Sequence, residues 1–229
     1  MRRNKGKFIV LEGTDGSGKA TQAKLLVRHL RKESVRVAEF DFPRYGKPSA
    51  YFVKEYLNGR FGGLKDISPQ TASLFFALDR YAAAPEIRKA LADGKTIISN
   101  RYVASNLGHQ GSKMGSASER RRFFKWLAEL EYEILGIPRP NLTMVLHVPA
   151  RIAQKLVDKK GKREYVGGVK RDLHEADIGH LRQAETTYLD MVKMFPRDFK
   201  LVECVERGRL LAPGDIHERV WRIIEKVIK

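Results

Sequence analysis

A glycine-rich turn between two patterned segments constrains this chain most. Phe8-Ile-Val-Leu11 is an unbroken apolar run, Glu12-Gly-Thr-Asp-Gly-Ser-Gly-Lys-Ala-Thr21 follows at once, and Gln22 to Arg31 continues with helical periodicity. Strand, glycine loop and helix form the setting that a phosphate-binding P-loop needs. Gly13, Gly16 and Gly18 let the backbone curl around Thr14, Asp15 and Ser17, so that successive N–H groups point into one concavity. The following helix contributes its free N-terminal N–H groups and their partial positive charge. Lys19 reaches the outer phosphates as a point charge. A nucleoside triphosphate is therefore the expected ligand. One residue departs from the pattern. Ala20 stands where Ser or Thr would place a hydroxyl on Mg²⁺. Thr21 is adjacent, but one step along a helix turns a side chain by about 100°.

At 229 residues the chain is expected to form one domain. No apolar run approaches bilayer length, so no membrane association is expected. The basic start, Met1 to Lys7, precedes an apolar run far too short for a signal-peptide core. A single cysteine, Cys204, forbids an internal disulfide and fits a reducing cytoplasm, with the thiol packed at a strand end. Lys and Arg total 44 against 27 Asp and Glu, a net charge of +17. Such a surplus steers anions, nucleotides and nucleic acids alike, and does not choose between them. The basic residues are spread along the chain rather than gathered with aromatic stackers, which disfavours a nucleic-acid partner.

Strand-like runs at Phe8–Leu11, Val35–Phe40, Thr96–Ser99, Thr143–Val148 and Lys200–Cys204 alternate with helical periodicity. That alternation predicts an α/β fold with a parallel sheet of about five strands and helices on both faces. Helices are expected over Lys19–Lys32, from Ser68-Pro69 to about Asp93-Gly94, and near 116–135, 150–158, 173–194 and 214–228. The basic, glycine-containing stretch 159–171 reads as a mobile loop.

Three further constellations carry chemistry. Arg101 follows the third strand, at the sheet edge where open α/β folds bind ligands, and its fork suits a phosphate. Phe76 and Arg80 lie four apart on one helical face. Asp41-Phe-Pro-Arg-Tyr45 ends the second strand, with Arg44 able to turn toward an anion. Each has a plain alternative: a surface salt bridge for Arg101, core packing for Phe76, solvation for Arg80.

Taken in order along nearly the whole chain, the segment from Phe8 to Lys19, Phe42-Pro43, Phe76 with Asp79-Arg80, Arg101-Tyr102 with Ser105, Val148-Pro149 and the helix with Tyr188 resemble the thymidylate kinases. These are P-loop nucleoside-monophosphate kinases that phosphorylate dTMP. The resemblance implies a three-layer P-loop fold with a basic lid over 159–171, and a homodimer. It implies ATP held by Gly13 through Thr21, and Mg²⁺ as the accompanying ion. The acceptor dTMP would meet Asp15, Phe42, Arg44, Phe76, Arg80, Arg101, Ser105, Asn106 and His109. Among these, Phe76 stacks on the base, Arg80 donates to a pyrimidine carbonyl, Ser105 and Asn106 read the base edge, and Arg101 clamps the phosphate. Asp15 faces the dTMP sugar and phosphate. His109 stands where the family has Tyr or Phe near the deoxyribose 2′ position, which puts rejection of ribonucleotides in question. Arg44 lies near, but one place from, the family's phosphate-binding arginine.

Because Gly16 occupies a position where some relatives carry arginine, the lid is expected to supply the catalytic cation. Lys159, Lys160, Lys162 and Arg163 are the candidates, and Arg163 has the fork suited to two oxygens. Asn100 replaces an aspartate that supports Mg²⁺ in the family. With Ala20 it leaves three readings open for the metal: an ion held mainly by ATP phosphates and water, help from Asp15 or Glu12, or weakened catalysis or a changed substrate. The intact Lys19, Arg101 and basic lid favour the first. The expected reaction gives dTDP and ADP. Alternatives are a kinase for another pyrimidine monophosphate such as dUMP, or a weakly catalytic P-loop protein that binds nucleotides or nucleic acid.

Overall fold

A computed structural model of the protein describes residues 6–63, 66–158 and 178–228. Its order is β1 (Phe8–Glu12), α1 (Lys19–Lys32), β2 (Val37–Asp41), a 3₁₀ turn at Pro48–Ala50, α2 (Tyr51–Leu57), α3 (Pro69–Ala92), β3 (Thr96–Asn100), α4 (Val103–Gly111) and α5 (Ala117–Ala128). A π-helical turn (Glu129–Ile134), β4 (Leu142–His147), α6 (Ala150–Asp158), α7 (Ile178–Met194), β5 (Phe199–Glu203), the short strands β6 (Val205–Glu206) and β7 (Arg209–Leu210), and α8 (Pro213–Ile228) follow. Five strands run parallel in the order β2-β3-β1-β4-β5. The expected segment 159–171, with Arg163, lies outside the described residues, as do 173–177 of the helix expected over 173–194.

Alternation along β1 explains the layers. Phe8 and Val10 face a core built with Ile87, Tyr102, Phe123, Phe124, Tyr188 and Met191, whereas Ile9 and Leu11 face Leu26, Leu30, Met144, Val220 and Ile224. Successive side chains therefore serve opposite faces, so a central strand covered on both sides must be apolar throughout. Helices α1 and α8 cover one face, and α3, α4, α5 and α7 the other.

Local signals set most of the boundaries. Ser68 Oγ accepts from Thr71 N (3.0 Å) and Pro69 opens α3, while Gly94 adopts φ +73° beyond its end. Ser116 and Glu119 form a capping box that starts α5. β2 begins two residues later than its apolar run because Val35 N still donates to Leu30 O (2.9 Å), closing the turn after α1. Two helices were unexpected. α2 follows the 3₁₀ turn, and α4 runs through Ser105, Asn106, Gly108 and Gly111, all poor helix formers. Eight of its nine residues are buried. Gly108 is required there, since a Cβ would lie 2.4 Å from the Tyr188 ring of α7. Cys204 is buried just after β5, and burial pushes its thiol up to about 12.

At the end of β4, His147 joins elements that flank the undescribed segment. Its Nδ1 pairs with Glu203 (2.7 Å) and its Nε2 with Glu185 of α7 (2.9 Å), while Glu185 also accepts from Ala150 N at the start of α6 (2.8 Å). Burial lowers the imidazole pKa, but the two carboxylates outweigh it and the net direction is upward. A raised histidine stabilises most below its unfolded value near 6.5, and that contribution fades as pH climbs through the higher folded value. His147→Gln should therefore cost more stability at about pH 6 than at about pH 9 in urea unfolding. An equal cost at both pH values would show that the charged imidazole contributes nothing.

Candidate active site

The C-terminal ends of β1, β2 and β3 open onto a cavity of about 390 Å³. Asp15, Gly16, Gly18, Lys19, Ala20 and Thr21 line one end; Phe42, Phe76, Arg80, Arg101, Ser105, Asn106 and His109 line the other. Gly13, Thr14 and Ser17 belong to the same loop but are not among the lining residues, and Thr14 and Ser17 are buried. Gly13 and Gly16 need their freedom. Both have positive φ, and a Cβ would meet Leu146 O at 2.5 Å in one case and Ala153 O at 2.3 Å in the other. Lys19 is buried and its Nζ donates to the carbonyls of Gly13 (2.9 Å) and Thr14 (2.8 Å). The ammonium thus lies inside the loop's own curl, where phosphate oxygens could take over those bonds.

Glu12, the last residue of β1, organises the opposite wall. Its carboxylate is fully buried and accepts from Tyr102 N (2.6 Å), Ser105 N (3.1 Å), Ser105 Oγ (2.7 Å) and the Tyr188 hydroxyl (3.2 Å). It caps α4 from another element, meeting the Tyr102 N–H, the Ser105 N–H that also reaches Tyr102 O (3.3 Å), and the positive helix end. Burial raises its pKa, against the lowering effect of Ser105, Arg101 and Tyr102.

Arg101, between β3 and α4, holds φ at +67°, a costly conformation for a side-chain residue. Its N–H donates to Leu11 O (2.9 Å), and its carbonyl accepts from Ser99 Oγ (2.7 Å). The guanidinium pairs with Asp15 and donates to Ser105 Oγ (3.1 Å) and His109 Nε2 (3.4 Å). Burial lowers its pKa, but the neighbouring Asp15 and Glu12 carboxylates carry it above the ordinary arginine value. Guanidinium has no acceptor, so His109 Nε2 must accept and its proton sits on Nδ1, facing His180 Nε2 of α7 at 3.3 Å.

At the far end Arg80 is buried against Glu131 of the π turn, through Nε (2.6 Å) and Nη2 (2.6 Å), and Nη1 donates to Tyr102 O (3.3 Å). Phe76 packs edge-on to Tyr56 of α2, and Phe42 lies against Tyr102. Arg44 is not among the lining residues. Its guanidinium pairs with Asp79 (3.2 Å) and Glu86 (3.2 Å), and its neighbour Tyr45 lines the cavity instead. Asp79 also accepts from Arg44 N (2.7 Å) and Ser49 Oγ (2.5 Å), which fastens the end of the Phe42-Pro43 turn to α3.

Asp41 and Asn100 meet at equal heights on neighbouring parallel strands, and Asn100 Nδ2 donates to Asp41 Oδ1 (2.8 Å). Burial raises the Asp41 carboxyl. Asn100 Oδ1 is buried without a partner among the described residues. Sequence reasoning passed over Glu131 and the capping role of Glu12. No spacing rule links either to its partners, which lie 51 and 90 residues away.

Glu12→Gln keeps the shape but turns an amide N–H toward donors that need an acceptor. It should lower unfolding free energy by about 1–3 kcal/mol in urea titration. An unchanged midpoint would mean that α4 does not depend on this carboxylate.

Comparison with known proteins gives the family and the fold. The thymidylate kinase family model matches residues 11–206. A thymidylate kinase of Mycobacterium tuberculosis (strain CDC 1551 / Oshkosh) is 31% identical over 215 residues, covering 91% of this chain and 99% of the relative. A probable thymidylate kinase of Thermococcus gammatolerans is 28% identical over 228 residues, covering 97% and 98%. The solved thymidylate kinase of Candida albicans shares the fold with a TM-score of 0.73 at 23% identity, over 97% of this chain and 92% of that one. This chain belongs to the thymidylate kinase family.

Proposed function

We propose that the chain transfers the ATP γ-phosphoryl group to the phosphate of dTMP, giving dTDP and ADP. One observation carries the reading: a single cavity joins the P-loop to a wall holding an aromatic ring, a buried arginine and a second, partly accessible arginine. Donor phosphates belong at the Lys19 end and the acceptor base at the Phe76 and Arg80 end, with Arg101 between them. The acceptor phosphate is already an anion, so the reaction asks for alignment and charge neutralisation rather than a strong base.

The family's metal fits an indirect role. Among the described residues no cluster of three or more His, Cys, Asp or Glu could hold an ion. Asp41, and the unpartnered Oδ1 of Asn100, could instead receive bonds from waters on Mg²⁺ held by nucleotide phosphates. When bound, the ion neutralises phosphate charge. A P-loop cation at position 16 is excluded by the Ala153 backbone, which supports the assignment of that role to the segment with Arg163.

A homodimer is supported by an apolar stripe on α3, where Leu74 is 39%, Leu78 46% and Tyr81 51% exposed, next to exposed Tyr51 and Phe52 of α2. The cytoplasmic placement rests on the single buried Cys204. Among the described residues no helix is long and apolar enough to cross a membrane.

ADP production from Mg·ATP with dTMP, dUMP, UMP and dCMP in parallel tests the reading. Turnover should occur chiefly with dTMP, and Lys19→Ala should lower kcat by about 10²-fold or more. Preference for another monophosphate would move the substrate. Full activity of Lys19→Ala would refute the P-loop assignment.

A further inference from the structure

The π turn brings one fully buried carboxylate behind the acceptor pocket, and nothing in the proposed chemistry uses it. Leu135 N donates to Leu130 O (2.8 Å), a five-residue step, and Glu131 sits inside that widened turn. Such turns often mark functional sites. Its Oε2 takes Arg80 Nε, while Oε1 takes Arg80 Nη2 and also Asn106 Nδ2 (3.3 Å). The second Asn106 N–H goes to Ser73 O (3.0 Å).

This arrangement settles a question that an asparagine ordinarily leaves open. Both amide hydrogens of Asn106 are spent on acceptors behind the pocket, so the group cannot reverse without setting oxygen against oxygen. Oδ1 is the end left toward the cavity that Asn106 lines. Arg80 is a donor only. The wall therefore presents a donor beside an acceptor. Thymine and uracil show the complement, a carbonyl at C4 beside N3–H. Cytosine shows the reverse, an amino group beside a bare N3.

We infer that Glu131 is a specificity-determining positioning residue: by holding Arg80 and the Asn106 amide in one orientation, it makes the pocket accept 4-keto pyrimidines and reject cytosine. The inference rests on reading this cavity as the monophosphate acceptor site. Ser73 O provides a second lock on Asn106, but a backbone carbonyl is fixed in every variant. Glu131 is the half that can be altered.

Glu131→Gln tests it. Either orientation of a glutamine turns an N–H against a donor that the carboxylate now receives, so Arg80 or Asn106 loses its setting. The ratio of kcat/KM for dTMP over dCMP should fall about tenfold or more, because a site built to pair with polar edges discriminates through those pairs. The dTMP over dUMP ratio should hold, since both share one edge, and the KM for ATP should not move. A merely structural role would slow all acceptors alike, and that outcome overturns the inference. A wild-type protein with no preference for dTMP over dCMP would instead refute the acceptor-site reading, and the inference with it. If the unpaired Arg80 charge prevents folding, Arg80→Gln/Glu131→Gln removes both charges. Its dTMP over dCMP ratio should fall below that of Arg80→Gln alone, and an equal ratio counts against the role.

Discussion

A buried carboxylate one residue before the P-loop holds this site together. Glu12 ends the central strand and receives four hydrogen bonds from two helices, three of them from the start of α4 and one from Tyr188 of α7. A charge so placed is costly when unpaired and strongly bound when its donors are complete. The dependence is mutual. α4 contains Ser105, Asn106, Gly108 and Gly111, and has little intrinsic reason to be helical. Its first-turn N–H groups need an acceptor, and no side chain of its own N-cap provides one. Glu12 supplies it, and so ties the height of Arg101 and Ser105 to the strand from which the P-loop departs. Together with the β1–β3 pairing, Glu12 thus fixes the spacing between the two ends of the cavity.

Three arginines in and beside the cavity are each paired with a carboxylate. Arg80 has Glu131, Arg101 has Asp15, and Arg44 has Asp79. The pairs differ in access. Arg80 and Glu131 are 2% and 0% exposed, while Arg101 and Asp15 are 18% and 13%. A closed pair presents fixed hydrogens, which suits reading the edge of a flat base. A partly open pair can share its guanidinium with an arriving phosphate, which suits a group whose charge shifts during transfer. The positive φ of Arg101 is held by Leu11 and Ser99, which bond its backbone N–H and carbonyl.

What could be read from the chain follows the range of the interactions concerned. The five strands and α1 were legible because strand–loop–helix periodicity is local, and α3 because Ser68-Pro69 and Gly94 punctuate it. The P-loop was legible for the same reason. α4 was not, because its cap comes from Glu12 and its glycine makes room for a ring on α7. The continuous helix expected over 116–135 becomes α5 and a π turn, and no composition signal separates them. Arg44 shows the limit at the site. Its chemistry suited an anion, but Asp79 and Glu86, 35 and 42 residues away, take the guanidinium. Glu131 carried no signal at all, since an acidic residue in an amphipathic helix reads as a solvated one.

The same distinction bears on position 100. Read along the chain, Ala20 and Asn100 remove a hydroxyl and a carboxylate from one region. Read across the sheet, parallel pairing sets Asp41 directly opposite Asn100, so a carboxylate remains beside the cavity, one strand over. Asn100 orients it by donating through Nδ2, which leaves Oδ1 as a second acceptor with no partner among the described residues. Two adjacent acceptors of this kind suit an ion that surrenders its water reluctantly, because they can bind the water rather than the metal. Asp41 bears a charge that burial disfavours, and Lys19, Lys24 and Arg101 oppose that effect. Register across two strands thus keeps a carboxylate directly opposite the position that the chain gives to asparagine.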